Sequence, residues 1–469
     1  VSSSNVRPRA LVRLVAGLAA ALLLAACSSS DDGPDAGAPD TSASAAPAAT
    51  ASGTTDDERP EGPAADLSEV IDGPGAPFIG ESSALDPGGF SVPGYEQIEL
   101  VAAGTASDYV EVGERSPDGR WELAPDTEAP YRTRVLVRRP ADPADESGTV
   151  VVEWLNVSGG IDANPDWTSL SEEIVRQGHV WVGVSAQRIG VEGGPVLVRA
   201  PVAGNLAGEG LKGILPERYG SLDHPGDGYA FDITTQVARA VRAGAVSEGD
   251  APDVVLAAGE SQSAIALTTY INGVQPLTQA FDGFFVHSRA FASLPLVAPG
   301  EAADLAGSMA TPEPVVLRDD LDVPVLVLQA EGDVVGVLRS VDARQPDSPT
   351  LRLWEVAGAS HADAFLLGPV ADELDCGAPI NRAPFHLVAK AALRSLDAWA
   401  RTGDAPPEAP RIEVEGIDGD GEPAIVRDAD GIALGGIRLP VVDVPSEVLS
   451  GAPPPSPDLI CLLMGSTQP

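Results

Sequence analysis

Lysine is almost missing from this chain: Lys212 and Lys390 are the only two in 469 residues. Lys and Arg together number 29 against 69 Asp and Glu, which gives a formal net charge of −40. A chain so short of positive charge repels polyanions, so nucleic-acid binding is excluded as its main task. The excess acid reads first as colloidal solubility or adaptation to salt, ahead of a specific cation site. Cysteine is scarce as well, with three residues. Neither their spacing nor their neighbours form a metal-binding pattern. Long apolar runs are lacking too. The one candidate, Leu14–Ala26, is too short and too rich in Ala for a membrane span. Residues 28–66 contain no Val, Ile, Leu, Met, Phe, Trp or Tyr.

Each gap frames what is present. The apolar set is 43% of the chain, a globular level, so disorder throughout is excluded. Gly (50) and Pro (43) make up about a fifth of the residues with no Gly-X-Y period, which excludes collagen and indicates a loop-rich protein.

The N-terminus reads as an address. Arg7, Arg9 and Arg13 precede the apolar run, as in a signal peptide. The run closes on Leu24-Ala25-Ala26-Cys27, which looks like a bacterial lipobox, so residues 1–27 are expected to supply a signal peptide and a lipidated Cys27. The competing reading is an uncleaved anchor, or an ordinary signal peptide with an incidental Cys. Pro8 separates Arg7 from Arg9, which argues against a twin-arginine signal. Loss of residues 1–26 would remove three positive charges and take the net charge from −40 to −43. Residues 28–66 cannot repay the entropy of ordering and are expected to form a disordered acidic tether. As a coil, its 39 residues reach about 35 Å. The protein would then be exported and held by lipid on the outer side of the cytoplasmic membrane. In that oxidising setting Cys376 and Cys461 form a natural pair, predicted to be a disulfide that pins the C-terminal segment; the alternative is two buried free thiols.

The folded domain is expected over residues 67–469, and from about Gly94 short β-branched runs alternate with helical stretches. Residues 133–138, 149–155, 179–185, 253–258, 281–287, 323–329 and 350–356 read as strands, several apolar on both faces. Residues 168–177, 229–243, 261–271 and 384–401 read as helices, with Asp166 and Thr168 as N-cap candidates and Gly403 as a stop for the last. This alternation predicts an α/β domain with a mostly parallel, doubly wound sheet, plus an antiparallel edge from residues 96–112 and 131–139. The Gly- and Pro-rich stretches 190–228 and 288–322 follow strands, so they are expected as lid-like insertions over the ligand end. Residues 405–469 are expected as a C-terminal appendage.

The most informative stretch is Gly259-Glu260-Ser261-Gln262-Ser263, between a strand and an apolar helix. A nucleophilic Ser on a tight strand-to-helix turn needs small flanking residues, so that helix and strand approach closely. Ser263 stands where Gly is usual. Gly80-Glu81-Ser82 has the same first three residues but no strand before it and no helix after it, and is set aside. A Ser nucleophile needs a base. Of five His residues, His361 stands in a turn after the strand-like LRLWEV, about 100 residues beyond Ser261, and is preferred; His287, at a strand end, is the alternative. The orienting acid should lie between them, at Asp333 or, second, Glu331. The oxyanion donors are expected to be the N–H groups of Gln262 and Val157. Trp154, Trp167 and Arg188 are further pocket candidates, with core packing the stronger reading for the two tryptophans.

Together, Gly259-Glu260-Ser261-Gln262-Ser263, VVVEWLNVSGG, AEGD and LWEVAGASHAD resemble the α/β-hydrolase superfamily, and more narrowly the bacterial group described as alpha/beta hydrolase domain proteins, over roughly residues 90–465. The resemblance implies a Ser-His-acid hydrolase that requires no metal and no cofactor. It leaves the substrate open. The expectation is a tethered serine hydrolase acting on a small or polymeric carboxylic ester through Ser261, His361 and Asp333. A serine peptidase, an acyl transferase or a non-catalytic binding lipoprotein on the same fold are the rivals.

Overall fold

The β-branched runs assemble into one nine-stranded sheet. In the computed structural model its strands are β1 (Asp66–Val70), β2 (Tyr95–Glu111), β3 (Leu123–Pro140), β4 (Thr149–Trp154), β5 (Val180–Val184), β6 (Val254–Glu260), β7 (Gly283–His287), β8 (Val325–Ala330) and β9 (Leu351–Val356). Their order is β1-β2-β3-β5-β4-β6-β7-β8-β9. β5, β4, β6, β7, β8 and β9 run parallel, while β1, β2 and β3 form an antiparallel edge that joins through β3 to β5. The described residues are 59–80, 90–199, 205–310, 313–416, 422–454, 456 and 458–468. The signal segment, Cys27, most of the expected tether and Ser82 lie outside them.

Period-two alternation divides the core between the two faces of the sheet. Val150, Val152, Val255, Ala257 and Phe284 face helices α2 (Ala230–Arg242) and α3 (Gln262–Thr269). Val151, Val254, Leu256, Ala258 and Phe285 face α1 (Pro165–Gln177) and α4 (Phe385–Thr402). Both faces are covered, which is why these strands read as continuous apolar runs rather than alternating ones. α1 and α4 end on Gly178 and Gly403, both left-handed, as a helix stop requires.

Several expectations need correction. Residues 59–66, expected as the end of the tether, lie on the body: the Arg59 guanidinium bonds the Gln279 carbonyl and Asp282, and the Ala65 N–H donates to the Gln236 carbonyl. β1 follows at once. Neither Asp166 nor Thr168 caps α1; Asn164 holds that position and Pro165 opens the helix, which suits a residue without an N–H. The antiparallel edge is a longer hairpin than expected, since β3 begins at Leu123. Its inner side carries charge that pattern reading does not place. Arg134 is fully buried and pairs with Asp162 at 2.8 Å and Glu99 at 3.3 Å. Arg138 is sandwiched among Phe90, Trp167 and Trp181, 4.4 to 4.9 Å from the ring centres.

The C-terminal region is more than an appendage. Cys376 and Cys461 are joined by a disulfide. Residues Ser466–Gln468 pair with Val448–Ser450, and the Ala362 N–H donates to the Leu463 carbonyl. The chain's last dozen residues are thereby laced to the loop that carries His361.

Candidate active site

The site lies at the carboxyl ends of the central parallel strands, where an open α/β sheet leaves room for a ligand. β6 ends at Glu260 and α3 begins at Gln262, so Ser261 takes the turn alone. Its backbone has φ 57° and ψ −114°, a conformation an L-residue adopts only under constraint. The small flanking residues permit it. A Cβ on Gly259 would stand 2.9 to 3.0 Å from atoms of Ser263 and Leu267, so any side chain there would force α3 off the sheet. Ser263 sits in that same contact and is small enough for it.

His361 follows β9 and brings Nε2 to 2.9 Å from Ser261 Oγ. Its Nδ1 lies 2.8 Å from Asp333 Oδ1, just past the end of β8. An ionised carboxylate only accepts, so Nδ1 carries the hydrogen, and in the neutral ring Nε2 is left to accept from the serine hydroxyl. The other Asp333 oxygen accepts from the Ala330 N–H at 2.6 Å, which fixes the carboxylate plane. Ser261, His361 and Asp333 are therefore brought together in one hydrogen-bonded line, hydroxyl to imidazole to carboxylate. Glu331 takes a supporting position: it accepts from the N–H groups of Gly358 (2.7 Å) and Gly451 (3.0 Å) and from Arg427 (2.6 Å), tying the His361 loop to the C-terminal region. His287, the alternative base, turns away from the hydroxyl. Its Nδ1 pairs with Asp166 Oδ1 at 2.8 Å, and only its backbone carbonyl meets Ser261, accepting from that N–H at 2.9 Å. His179 bonds Ser147, His224 bonds the Ala186 carbonyl, and His386 stacks on Phe365.

The oxyanion expectation is half altered. Gln262 opens α3, so its N–H has no partner within the helix and lies at the positive end of the helix dipole. The Val157 N–H, expected beside it, donates instead to Gln262 Oε1 at 3.0 Å. The physical reason is burial. The Gln262 side chain sits inside the protein and needs partners, and the loop after β4 supplies one while Gln187 supplies another. Trp154 also goes to the core, its indole N–H on Gln187, and Trp167 packs on Trp181. The Arg188 N–H donates to Asp227 and its guanidinium to the Gly193 carbonyl.

The residue most undervalued by its sequence position is Glu260. Its carboxylate stands 3.4 Å from His361 Nε2, on the serine side of the ring. Burial raises it to about 7 against the charges of His361 and His287, which lower it. His361 feels the opposite balance. Burial alone pushes the imidazolium down, but Asp333 and Glu260 outweigh it and hold it up at about 9. Deeper lie Glu153 and Asp166, both raised by burial. Glu153 accepts the N–H groups that open α1, at Asp166 (3.0 Å) and Trp167 (2.8 Å). Among the described residues no cluster of three or more His, Cys, Asp or Glu has metal-holding geometry, and no helix is long and apolar enough to cross a membrane.

Two apolar cavities open on Ser261. One, of about 170 Å³, is lined by Phe78, Ile161, Leu206, Leu366 and Met464 together with Glu260 and His361. The other, of about 350 Å³, is lined by Leu197, Ile265, Leu305, Met309, Leu338 and Leu459. The expected insertions and the C-terminal region thus supply the walls.

A strained serine at a strand-to-helix turn, a histidine on its hydroxyl and a carboxylate behind the histidine are the parts that acyl-transfer chemistry uses. The family described as "Alpha/beta hydrolase domain" matches residues 59–469, and the chain belongs to it. Among solved structures, a Rhizomucor miehei esterase is similar at 13% identity and a TM-score of 0.33, over 64% of this chain and 86% of its own. A putative dienelactone hydrolase from Klebsiella pneumoniae aligns at 14% and 0.31, over 64% and 99%. An α/β serine hydrolase without lid from Xanthomonas campestris aligns at 15% and 0.31, over 63% and 94%. No curated protein matches the chain.

Proposed function

We propose that this α/β hydrolase cleaves carboxylic esters by a serine mechanism, on the outer side of the cytoplasmic membrane. The observation that carries the reading is the 2.9 Å approach of His361 Nε2 to the hydroxyl of Ser261, with Asp333 behind the ring. Ser261 Oγ attacks the ester carbonyl while His361 takes its proton. Asp333 holds the imidazole in the required tautomer and stabilises the imidazolium. The Gln262 N–H, at the positive end of α3, meets the charge that develops on the carbonyl oxygen. His361 then returns the proton to the leaving alcohol, and water cleaves the acyl-enzyme by the same route.

A fluorophosphonate probe tests this directly. Peptide mass spectrometry should find the adduct on Ser261, lost in His361→Ala and retained in His287→Ala. A folded protein without an adduct on Ser261 overturns the reading and brings forward a binding protein on the same fold. Amide turnover with negligible ester turnover would replace esterase by peptidase. The anchor is tested separately: incorporation of labelled fatty acid should be lost in Cys27→Ala, and its persistence would refute the lipobox reading.

A further inference from the structure

We propose that the two cavities divide the substrate between them: the one that reaches His361 takes the leaving alcohol, and the one beside Gln262 and Ile265 takes the acyl chain, so that the substrate is an uncharged ester apolar in both halves. The inference rests on the serine-hydrolase reading above and adds the substrate class and the residues that select it.

The assignment follows from where a proton has to go. In acylation a bond forms between Ser261 Oγ and the carbonyl carbon, and the bond from that carbon to the alkoxy oxygen breaks. The proton taken from Oγ by His361 Nε2 passes to the departing oxygen. The leaving oxygen must therefore lie on the imidazole side of the serine. The smaller cavity contains His361 and Ala362 together with Ser261, whereas the larger contains Ser261, Gln262 and Ile265 but not the histidine. With the carbonyl oxygen toward the Gln262 N–H and the alkoxy oxygen toward His361, the remaining substituent of the carbonyl carbon points into the larger cavity. Ser158, Val198 and Leu463 border both cavities and form the partition.

The lining fixes the chemistry. Among the described residues the larger cavity is lined by no ionisable side chain, and a charged acyl group would lose its water there without gaining a partner. Among the described residues that line the smaller cavity the ionisable groups are His361 and Glu260, and ionised Glu260 repels an anionic alcohol. With about 350 Å³ against 170 Å³, the acyl side has the greater room. Each methylene buried there should raise kcat/KM about fourfold until the cavity is full.

The experiment uses the full chain and two ester series, one with a fixed alcohol and acyl chains from acetyl to dodecanoyl, the other with a fixed acyl group and alcohols from methyl to naphthylmethyl. Fluorophosphonate labelling of Ser261 runs in parallel. The expected result is a rising acyl profile, a hemisuccinate about 100-fold slower than its uncharged isostere, and two separable variants. Ala306→Trp should cut the octanoyl-to-acetyl ratio of kcat/KM at least tenfold and slow deacylation of the octanoyl-enzyme. Leu366→Trp should cut the naphthylmethyl-to-methyl ratio and leave the deacylation rate constant alone, because the alcohol has gone before that step. Labelling with a flat acyl profile, or with the two variants' effects exchanged, overturns the division of the substrate but not the hydrolase. No labelling overturns both. The wild-type profiles decide the substrate class even where a variant fails to fold.

Discussion

Replacing Glu260 by Gln removes one negative charge 3.4 Å from His361 Nε2 without changing shape. Two unit charges at that distance interact by about 5 kcal/mol at an effective dielectric of 20, which is an upper bound of about 3.5 pH units on the imidazole. Proton sharing and solvent reduce this, so a shift of at least about one unit is expected. The sign follows from the charge: Glu260 favours the imidazolium, and its loss lowers the midpoint of His361 from about 9. The effect on rate depends on pH. Above the midpoint the resting ring is neutral and only the transition state carries an imidazolium, so loss of Glu260 removes stabilisation from the transition state alone. The alkaline plateau of kcat/KM should fall about tenfold for each unit of midpoint shift. Below the midpoint both states carry the imidazolium, and below about 7 Glu260 is itself neutral, so the acid limbs of wild type and variant should superimpose. The assay is kcat/KM for one uncharged ester from pH 5 to 10. An unchanged midpoint and plateau would refute the electrostatic role. A parallel drop across the whole range would show instead that Glu260 binds substrate.

Asp333→Asn should lower kcat by about 10⁴, the scale on which a triad is disabled when its acid can no longer fix the histidine tautomer. Glu331→Gln should instead lower the denaturation midpoint with little change in the pH profile, and the paired measurement separates the two acids. Reduction of Cys376–Cys461, or Cys461→Ser, frees a loop of 85 residues and should cost about 4–5 kcal/mol by chain entropy, read from urea denaturation with and without reductant; an unchanged midpoint would mean that the C-terminal region is held by packing alone. Arg134→Met strands Asp162 in the interior, while Glu99 keeps Arg218 at 2.6 Å, and should cost about 3–5 kcal/mol in the same assay, a loss that Asp162→Asn combined with it should partly restore.

The parallel core was legible because strands covered on both faces must be apolar without alternation, and because β6, Ser261 and α3 form a turn with few sequence solutions. His361 and Asp333 were legible from chain order and from their places after β9 and β8. What escaped was whatever depends on contacts distant in sequence. β1 has few apolar residues and is held by its pairing with β2. The choice between Asp333 and Glu331 turns on which carboxylate faces the ring and which faces Gly358 and Gly451, and two acids in one short turn look alike in sequence. The partner of the Val157 N–H escaped because a backbone N–H carries no mark of what it bonds, and the Gln262 side chain that accepts it lies 105 residues on. Glu260 could have been found: a carboxylate next to the nucleophile must lie near whatever base reaches that serine.

The lacing of the last dozen residues to the His361 loop has a consequence for the order in which the molecule is made. Ser261, Asp333 and His361 are all in hand when synthesis reaches His361, about 100 residues before Leu459, Leu463 and Met464 arrive. A nascent or prematurely stopped chain can thus own every reacting group yet lack a wall on both sides of the serine. Such a chain holds Ser261 open to water.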